Sequence, residues 1–231
     1  MQIYQPLTGY CFNSDTLFLF DFIGQFSPKN ALLEVGSGSG VLGLLLARDF
    51  KIDLTQVEKQ ELFFKYTQKN AEVNSIEHEL FHSDFLAFKT EKKFDFIVSN
   101  PPFYHGGVCR SDDVVRHTAR YNEHLPIEPF VEKVSKMLTP RGRFIFCYDP
   151  VVLPQLMVAL QTNKFKIEDI RFVYPKEGKM ASLVMIHARK GSKSMMKTHP
   201  PLYSFVGDAF SQEAKKIYAK TSTHSIKCDM D

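Results

Sequence analysis

Short apolar runs alternate with longer stretches of helical periodicity along most of the chain. A short apolar run bounded by turn formers is typical of a buried strand, and apolar residues spaced three and four apart are typical of a helix. The strands that this pattern predicts lie at residues 31–35, 52–57, 80–82, 94–98 and 143–148. The predicted helices lie at residues 15–26, 41–47, 60–74, 127–138 and 152–160.

This alternation indicates an α/β fold with a parallel sheet that helices cover on both faces. Two further apolar runs, 170–173 and 183–188, have no helical pattern between them, so they predict a hairpin-like addition at one edge. We therefore expect a Rossmann-like, doubly wound fold with a mostly parallel, seven-stranded sheet and an antiparallel edge strand.

The segments outside these elements are rich in turn formers. Residues 1–14 are expected to be irregular, and residues 139–142 are expected to form a turn. We expect one domain over residues 1–190, which includes the short amino-terminal segment. Residues 191–231 are expected to form a carboxyl-terminal extension with one helix, at 212–219, and no independent domain.

Glycine-rich or polar positions follow four successive predicted strands. The segment Gly36–Gly40, which reads Gly-Ser-Gly-Ser-Gly, comes directly after the first strand. Glu58, Asp84 and Asn100 follow the next three strands. Because the carboxyl ends of parallel strands meet at one rim of the sheet, where such folds bind ligands, we expect these positions to form one site.

The first of these positions have the chemistry of a nucleotide cradle. Glycines permit a tight turn and close approach of a ligand, and an acid such as Glu58 can bind both ribose hydroxyls. This logic serves NAD as well as S-adenosylmethionine. The Gly-x-Gly-x-Gly spacing and the acid Glu34 before it favour a cofactor with a positive ammonium and sulfonium end, and Asp84 can accept from its adenine amino group. The alternative reading is that these acids only close strand ends or lie on the surface.

A second motif, Ser99-Asn100-Pro101-Pro102-Phe103, ends the fourth strand. Two prolines cannot continue a central strand, and Pro101 pushes Asn100 into an extended conformation. The Asn100 side-chain oxygen and a prolyl carbonyl can accept from an amino group, while Phe103 can stack on a ring. The segment Asn100–Phe103 therefore suits a nucleobase with an amino group. The alternative interpretation is an ordinary proline-rich turn after a strand.

The cysteine positions and the hydropathy of the chain indicate the cellular compartment in which the protein is expected. The four cysteines are scattered with no Cys-x-x-Cys pair, which argues against a zinc ribbon or a disulfide framework and suits a reducing cytosol. No apolar run reaches membrane-spanning length and the amino terminus does not read as a signal peptide, so we expect a cytoplasmic protein. No metal site is expected, because His105, His117 and His124 lack a ligand spacing, and Cys109 reads as an ordinary loop cysteine.

The net charge of +3 conceals an asymmetry. Residues 1–150 hold 16 Lys and Arg against 19 Asp and Glu, whereas residues 151–231 hold 13 against 7. A basic end, including the cluster Arg189, Lys190, Lys193 and Lys197, is compatible with a polyanionic partner. A lysine-rich, solvated surface explains the same numbers.

Together the two motifs carry a family resemblance. Residues 33–40 (Leu-Glu-Val-Gly-Ser-Gly-Ser-Gly) with Asn100–Phe103 resemble class I S-adenosylmethionine-dependent methyltransferases that modify amino nitrogens. The segment 5–17 narrows the resemblance to the bacterial tRNA(Val) (adenine-N6)-methyltransferases, which act on the adenosine beside the anticodon. Arg116 and Arg120, after the second motif, add to this narrower likeness, which covers about residues 1–190.

The resemblance implies S-adenosylmethionine as cofactor and RNA, more narrowly tRNA, as partner. Neither a metal nor a membrane is expected as a partner, and a monomer is favoured although the sequence does not determine the oligomeric state. Its acceptor residues, which would bind and stack the target base, would be Asn100, Pro101, Pro102 and Phe103. Its cofactor residues would be Glu34, Gly36, Ser37, Gly38 and Gly40 for the methionine part and ribose edge, Glu58 and Lys59 for the ribose, Asp84 and Phe85 for the adenine, Asn100, and Ser14 and Asp15 closing the pocket. Many relatives carry Tyr where this chain has Phe103, but stacking requires only an aromatic face.

Other functions share parts of this pattern. A protein glutamine N5-methyltransferase also presents an amide NH₂ to an Asn-Pro-Pro arm, but it usually carries a helical amino-terminal domain, and a DNA adenine methyltransferase carries a larger recognition domain. A methyltransferase for another RNA, or a non-catalytic RNA-binding protein that keeps the fold, also stays open. An NAD-dependent oxidoreductase lacks a visible catalytic Tyr/Lys or His set.

Overall fold

The computed structural model of the chain describes residues 1–101 and 125–230. Strands and helices alternate there as the hydrophobic pattern predicts. The strands are β1 (Gln2–Gln5), β2 (Asn30–Val35), β3 (Ile52–Glu58), β4 (Glu79–His82), β5 (Phe94–Ser99), β6 (Leu138–Tyr148), β7 (Phe165–Tyr174), β8 (Leu183–Lys190), β9 (Lys197–Thr198), β10 (Leu202–Tyr203), β11 (Phe205–Val206), β12 (Ala209–Phe210) and β13 (His224–Lys227). The helices are α1 (Ser14–Gly24), α2 (Val41–Asp49), α3 (Glu61–Val73), α4 (Ile127–Met137), α5 (Leu153–Thr162) and α6 (Gln212–Thr221).

Seven long strands form the body of the sheet in the order β4-β3-β2-β5-β6-β8-β7, and β9 and β10 extend it beside β7. All neighbours from β4 to β6 are parallel, whereas β8 runs antiparallel to both β6 and β7. The mostly parallel, Rossmann-like sheet is therefore confirmed. The antiparallel strand is not at the edge, however, because β7 and the two short strands lie outside it.

Strand order places the ligand-binding rim at the centre of the sheet. The chain proceeds from β2 outward to β3 and β4, then returns to the other side of β2 with β5. Between β2 and β5 lies the point where strand order reverses, which is where such folds bind ligands. The register pairs Val35 with Val57 and with Ser99, and Ser99 with Phe146. The residues that follow these strands therefore emerge at one level.

Helix α1 is deeply buried, because its sequence is apolar on most sides. Phe18, Phe20 and Phe22 are 0–1% exposed. The helix packs against α2 and α6, while α4 packs against α5. In α4 the apolar residues share one face, as their three-and-four spacing requires. No helix among the described residues is both long and apolar enough to cross a bilayer.

Two local predictions are wrong. Residues 2–5, within the segment expected to be irregular, form β1, which pairs in parallel with β13 from the other end of the chain. Residues 139–142, expected to form a turn, belong to β6, where the register against β5 shifts between Phe94–Leu138 and Phe96–Arg143. The extra residues form a bulge, which accommodates a proline and a glycine in a strand.

Candidate functional site

The glycine-rich segment between β2 and α2 forms a tight loop. Gly36, Gly38 and Gly40 all have positive φ angles, of +70°, +55° and +81°. A Cβ atom built on Gly36 or Gly38 meets no atom within 4 Å, so both backbones border open space. The loop therefore presents bare backbone toward the rim, where a ligand could approach closely.

Thr67, on α3, holds this loop from behind. Its hydroxyl donates to the Gly38 carbonyl at 2.6 Å and lies 3.3 Å from the Ser37 hydroxyl. A Cβ atom on Gly40 would lie 2.9 Å from the Thr67 methyl carbon, so Gly40 serves the close packing of α3 on the loop. Sequence reasoning missed Thr67, because nothing local marks a buried threonine as a loop anchor.

Glu58 ends β3 and joins the loop to the neighbouring strand. Its two carboxylate oxygens accept from the backbone N–H of Gly38 and from that of Gln60, both at 2.8 Å. Burial raises the pKa of Glu58, although these backbone donors lower it. A carboxylate oxygen accepts more than one hydrogen bond, so the side chain retains acceptor capacity toward the rim.

Glu34 lies inside the protein behind the loop. Its Oε2 accepts from the Gly43 backbone N–H at 3.0 Å and from the Gln56 side-chain amide at 2.6 Å. The side chain is 2% exposed, and burial raises its pKa to about 8. These contacts make Glu34 a brace between β2, β3 and α2. Its predicted contact with the methionine part of a cofactor stays a prediction.

The position of Gly43 explains how this brace fits. A Cβ atom there would lie 2.5 Å from the Glu34 carboxylate and 2.8 Å from the Gln56 amide. Sequence reasoning passed over both Gly43 and Gln56. An isolated glycine in a helical pattern is the signal that could have indicated a close approach at Gly43.

Lys59 and Asp84 form an ion pair at the same rim, with 2.7 Å between Nζ and Oδ2. Burial raises the pKa of Asp84, but hydrogen bonds from Lys59 and from the Leu86 backbone outweigh it, and the pKa is lowered. Phe85 is buried, and its ring packs edge-on against Phe130. Lys59 and Asp84 are therefore paired at the rim, whereas the ring of Phe85, the next residue, packs into the core.

Asn100 lies at the end of β5 with both ends of its carboxamide engaged. Its Nδ2 donates to the Thr16 hydroxyl at 3.0 Å, and its Oδ1 accepts from the Cys147 thiol at 3.0 Å. Pro101 follows and is buried. Several residues that the sequence singled out lie outside the described residues: Pro102, Phe103, His105, Cys109, Arg116, His117, Arg120 and His124.

The amino-terminal end of α1 reaches the rim beside Asn100. Asn13 caps this helix by accepting from the Asp15 backbone N–H at 3.1 Å. Burial raises the pKa of Asp15. The Ser14 hydroxyl lies 2.8 Å from the Tyr218 hydroxyl on α6. Ser14 and Asp15, the predicted pocket-closing residues, therefore lie in the first turn of a capped helix. The carboxyl-terminal extension contacts this turn through Tyr218.

A second polar cluster lies away from this rim, on β7 and β8. Asp169 lies 2.8 Å from a ring nitrogen of His187 and 2.8 Å from one of His199. Glu168 pairs with Arg189 at 2.6 Å. Glu168 is therefore paired with an arginine, and Asp169 bridges two imidazole rings, while burial lowers the pKa of His187. The Arg189 guanidinium, which belongs to the basic cluster considered compatible with a polyanionic partner, is engaged with Glu168.

Comparison with known proteins identifies a family that the chain matches. The family model described as methyltransferase small domain matches residues 14–149. The chain is 31% identical to a tRNA1(Val) (adenine(37)-N6)-methyltransferase of Actinobacillus succinogenes, over 78% of this chain and 77% of the relative. A protein of the same name from Vibrio campbellii is 25% identical over 84% of this chain and 82% of its own length.

Solved structures agree with the fold. A predicted O-methyltransferase of Agrobacterium tumefaciens superposes with a TM-score of 0.70 at 15% identity, over 93% of this chain and all of that one. The 16S rRNA N2 G1207 methyltransferase of T. thermophilus, solved with AdoMet and guanosine, has a TM-score of 0.57 at 25% identity. That match covers 80% of this chain and 45% of the other.

Proposed function

The chain belongs to the methyltransferase small domain family, and we propose that it methylates the exocyclic N6 amino group of an adenosine in tRNA, next to the anticodon. S-adenosylmethionine is its cofactor. Support for the substrate comes from the curated relatives, which are named for tRNA1(Val) adenine(37)-N6 methylation. Support for the reaction comes from the Asn100 carboxamide beside the glycine loop.

The residues at the rim fit this cofactor. Gly36 and Gly38 leave open space where any other residue would place a Cβ, and Glu58 offers acceptors after the second long strand. In our proposal the glycine loop holds the methionine part, Glu58 the ribose hydroxyls, and Asp84 with Phe85 the adenine. Ser37 and Lys59 act through their contacts with Thr67 and Asp84.

When bound, the cofactor supplies a methyl group that its sulfonium has already activated. The chain's contribution is to hold and orient the acceptor. In the proposal, the Asn100 oxygen and the Pro101 carbonyl accept the two amino hydrogens, which turns the nitrogen lone pair toward the methyl group. Alignment of this kind is worth several kcal/mol, about 7–11 at its ideal limit. A strong general base is unnecessary, because a methylated aromatic amine loses its extra proton readily to water.

The target adenosine must leave its stack to reach this rim. Extrusion of a base costs a few kcal/mol, and stacking on an aromatic side chain returns about 1–3 kcal/mol. Phe103 is the stacking residue in the proposal. Since Phe103 immediately follows the Pro101-Pro102 pair, its distance along the chain from Asn100 suits a base whose amino group lies at the carboxamide.

The test is transfer of labelled methyl from S-adenosylmethionine to bulk tRNA from a strain that lacks this protein, followed by nucleoside analysis. We expect label in N6-methyladenosine. Label in ribosomal RNA or in protein instead of tRNA would overturn the proposed substrate, and cofactor binding without transfer to any fraction would overturn the reaction.

Two variants sharpen this test. Asn100→Ala is expected to abolish transfer while the cofactor Kd stays within about twofold, because Asn100 should mainly contact the acceptor. Asn163→Ala is the matched control, since the Asn163 amide donates to a backbone carbonyl on α5, away from the rim. A large loss of cofactor affinity in Asn100→Ala would contradict the assignment.

A further inference from the structure

Asn100 is held by residues of two other elements, Thr16 and Cys147, to which the resemblance assigns no role. Thr16 lies in the first turn of α1, and Cys147 lies one residue before the end of β6. Both side chains are buried, at 6% and 0% exposure. The register places Ser99 beside Phe146, so Asn100 and Cys147 are neighbours across two parallel strands. The arrangement thus follows from the sheet and not from a flexible loop.

Thr16 and Cys147 differ in how they contact the two ends of the Asn100 carboxamide. A hydroxyl both donates and accepts, so Thr16 alone is compatible with either orientation of the carboxamide. A thiol is both a weak donor and a weak acceptor, and in the structure the Cys147 thiol donates to the carboxamide oxygen at 3.0 Å, so this contact is made with the oxygen and not with the NH₂ group. Burial and the nearby Asp15 raise the pKa of Cys147 well above its ordinary value, which keeps the donor proton on sulfur.

We propose that Thr16 and Cys147 are positioning residues, which fix the Asn100 carboxamide with its oxygen available to the acceptor amino group. The inference rests on the proposed function, because the orientation matters only where an amino group is received. The Asn100 oxygen accepts one bond from Cys147 and has a second lone pair for the acceptor. A carboxamide rotated by half a turn would direct N–H groups at the N–H groups of the substrate.

Paired variants separate the hydrogen bond from side-chain volume. Cys147→Ala removes the donor and Cys147→Ser retains it, while Thr16→Val removes the hydroxyl and Thr16→Ser retains it. We expect kcat to fall about 10- to 100-fold in the first member of each pair, since a misplacement of about 1 Å costs about 100-fold. The serine variants should retain kcat within about threefold, and KM values for cofactor and tRNA should change less than about twofold.

Ser135→Ala is the control for loss of a buried hydroxyl, because Ser135 bonds a backbone carbonyl far from the rim. It should keep the wild-type kcat. The inference is overturned if the serine variants are as slow as their partners, or if the losses appear in KM and not in kcat. The Thr16 pair decides the outcome by itself if Cys147→Ala does not fold.

A spectroscopic measurement separates this inference from the proposed function. The side-chain NH₂ signals of Asn100 in a ¹⁵N–¹H spectrum are identified by their absence in Asn100→Ala. We expect these signals to shift or broaden in Cys147→Ala and Thr16→Val and to stay in place in Thr16→Ser. If the wild-type protein transfers no methyl to tRNA, the proposed function alone is refuted. If the NH₂ signals do not move in Cys147→Ala and Thr16→Val, the positioning role is refuted, whatever the activity of the variants.

Discussion

The buried carboxyl group of Glu34 leads to a prediction about how stability depends on pH. Its pKa rises from an ordinary 4.5 to about 8, chiefly because the side chain is buried. A folded-state pKa above the unfolded value means that the native state binds one more proton between these two pH values. The contribution of the Glu34 carboxyl group to the free energy of unfolding is therefore complete below pH 4.5 and is lost as pH rises through about 8.

The size of the effect follows from the shift. One pKa unit corresponds to about 1.4 kcal/mol, so a shift from 4.5 to about 8 removes about 5 kcal/mol of stability at most. Glu34→Gln abolishes the titration but keeps an acceptor for Gly43 and Gln56, since a carboxamide and a neutral carboxyl have the same pattern of one acceptor and one donor side. The variant should therefore gain stability relative to the wild type by about 1.4 kcal/mol per pH unit between pH 5 and 8.

The assay is urea denaturation at several pH values from 5 to 9. Glu72→Gln is the matched control, because that carboxylate is exposed on α3. A stability difference between Glu34→Gln and wild type that does not change with pH would refute the reasoning. The same samples also test the predicted contact with the cofactor. If Glu34 meets the positive ammonium, cofactor binding at pH 7 releases close to one proton and Glu34→Gln binds more weakly.

Three further substitutions test the loop, the brace and the extension. Gly38→Ala should cost about 1 kcal/mol of stability, because φ is +55°, and should weaken cofactor binding at least about tenfold in calorimetry, since the new methyl enters the cradle; unchanged affinity would exclude the loop as the cradle. Gly43→Ala should destabilise by about 1–3 kcal/mol in urea, against the usual gain of alanine in a helix, because its Cβ would lie 2.5 Å from the Glu34 carboxylate; a stabilised variant would contradict the brace. Tyr218→Phe should cost about 1 kcal/mol by removing the contact with Ser14, and wild-type stability would mean that this hydrogen bond adds nothing.

The sequence predicts the elements that depend on local patterns. Strands such as 94–98 and helices such as 127–138 agree with the structure within a few residues, because burial imposes period 2 or 3.6 on neighbouring positions. The prediction of an irregular amino-terminal segment is wrong, because the structure there depends on a distant partner. The strand Gln2–Gln5 exists only because residues near the other end of the chain pair with it, and the sequence of 1–14 alone contains no sign of that pairing.

The same division applies to the site. The glycine loop, Glu58 and Asn100 were predicted to share one rim because strand ends in parallel sheets carry the ligand groups, and the structure places all three at that rim. Thr16, Thr67 and Cys147 were missed because they act on other site residues through the tertiary fold. Threonine and cysteine are common in buried positions, and their hydrogen bonds become visible only when the strands and α1 are assembled.

The carboxyl-terminal extension, residues 191–231, had no role assigned from the sequence, but its contacts indicate a structural one. The amino-terminal ammonium donates to the Ser222 carbonyl at 2.7 Å, and Arg48 on α2 donates to the Thr221 carbonyl at 2.6 Å. Tyr218, in the same helix, reaches Ser14 at the start of α1. Because Thr16 lies two residues further along α1, the carboxyl-terminal extension secures the helix turn that holds the Asn100 carboxamide. A site on strand ends needs such support from outside the sheet. The sheet determines where Asn100 lies and positions Cys147 beside it, but Thr16, the second residue that orients the side chain, lies on α1.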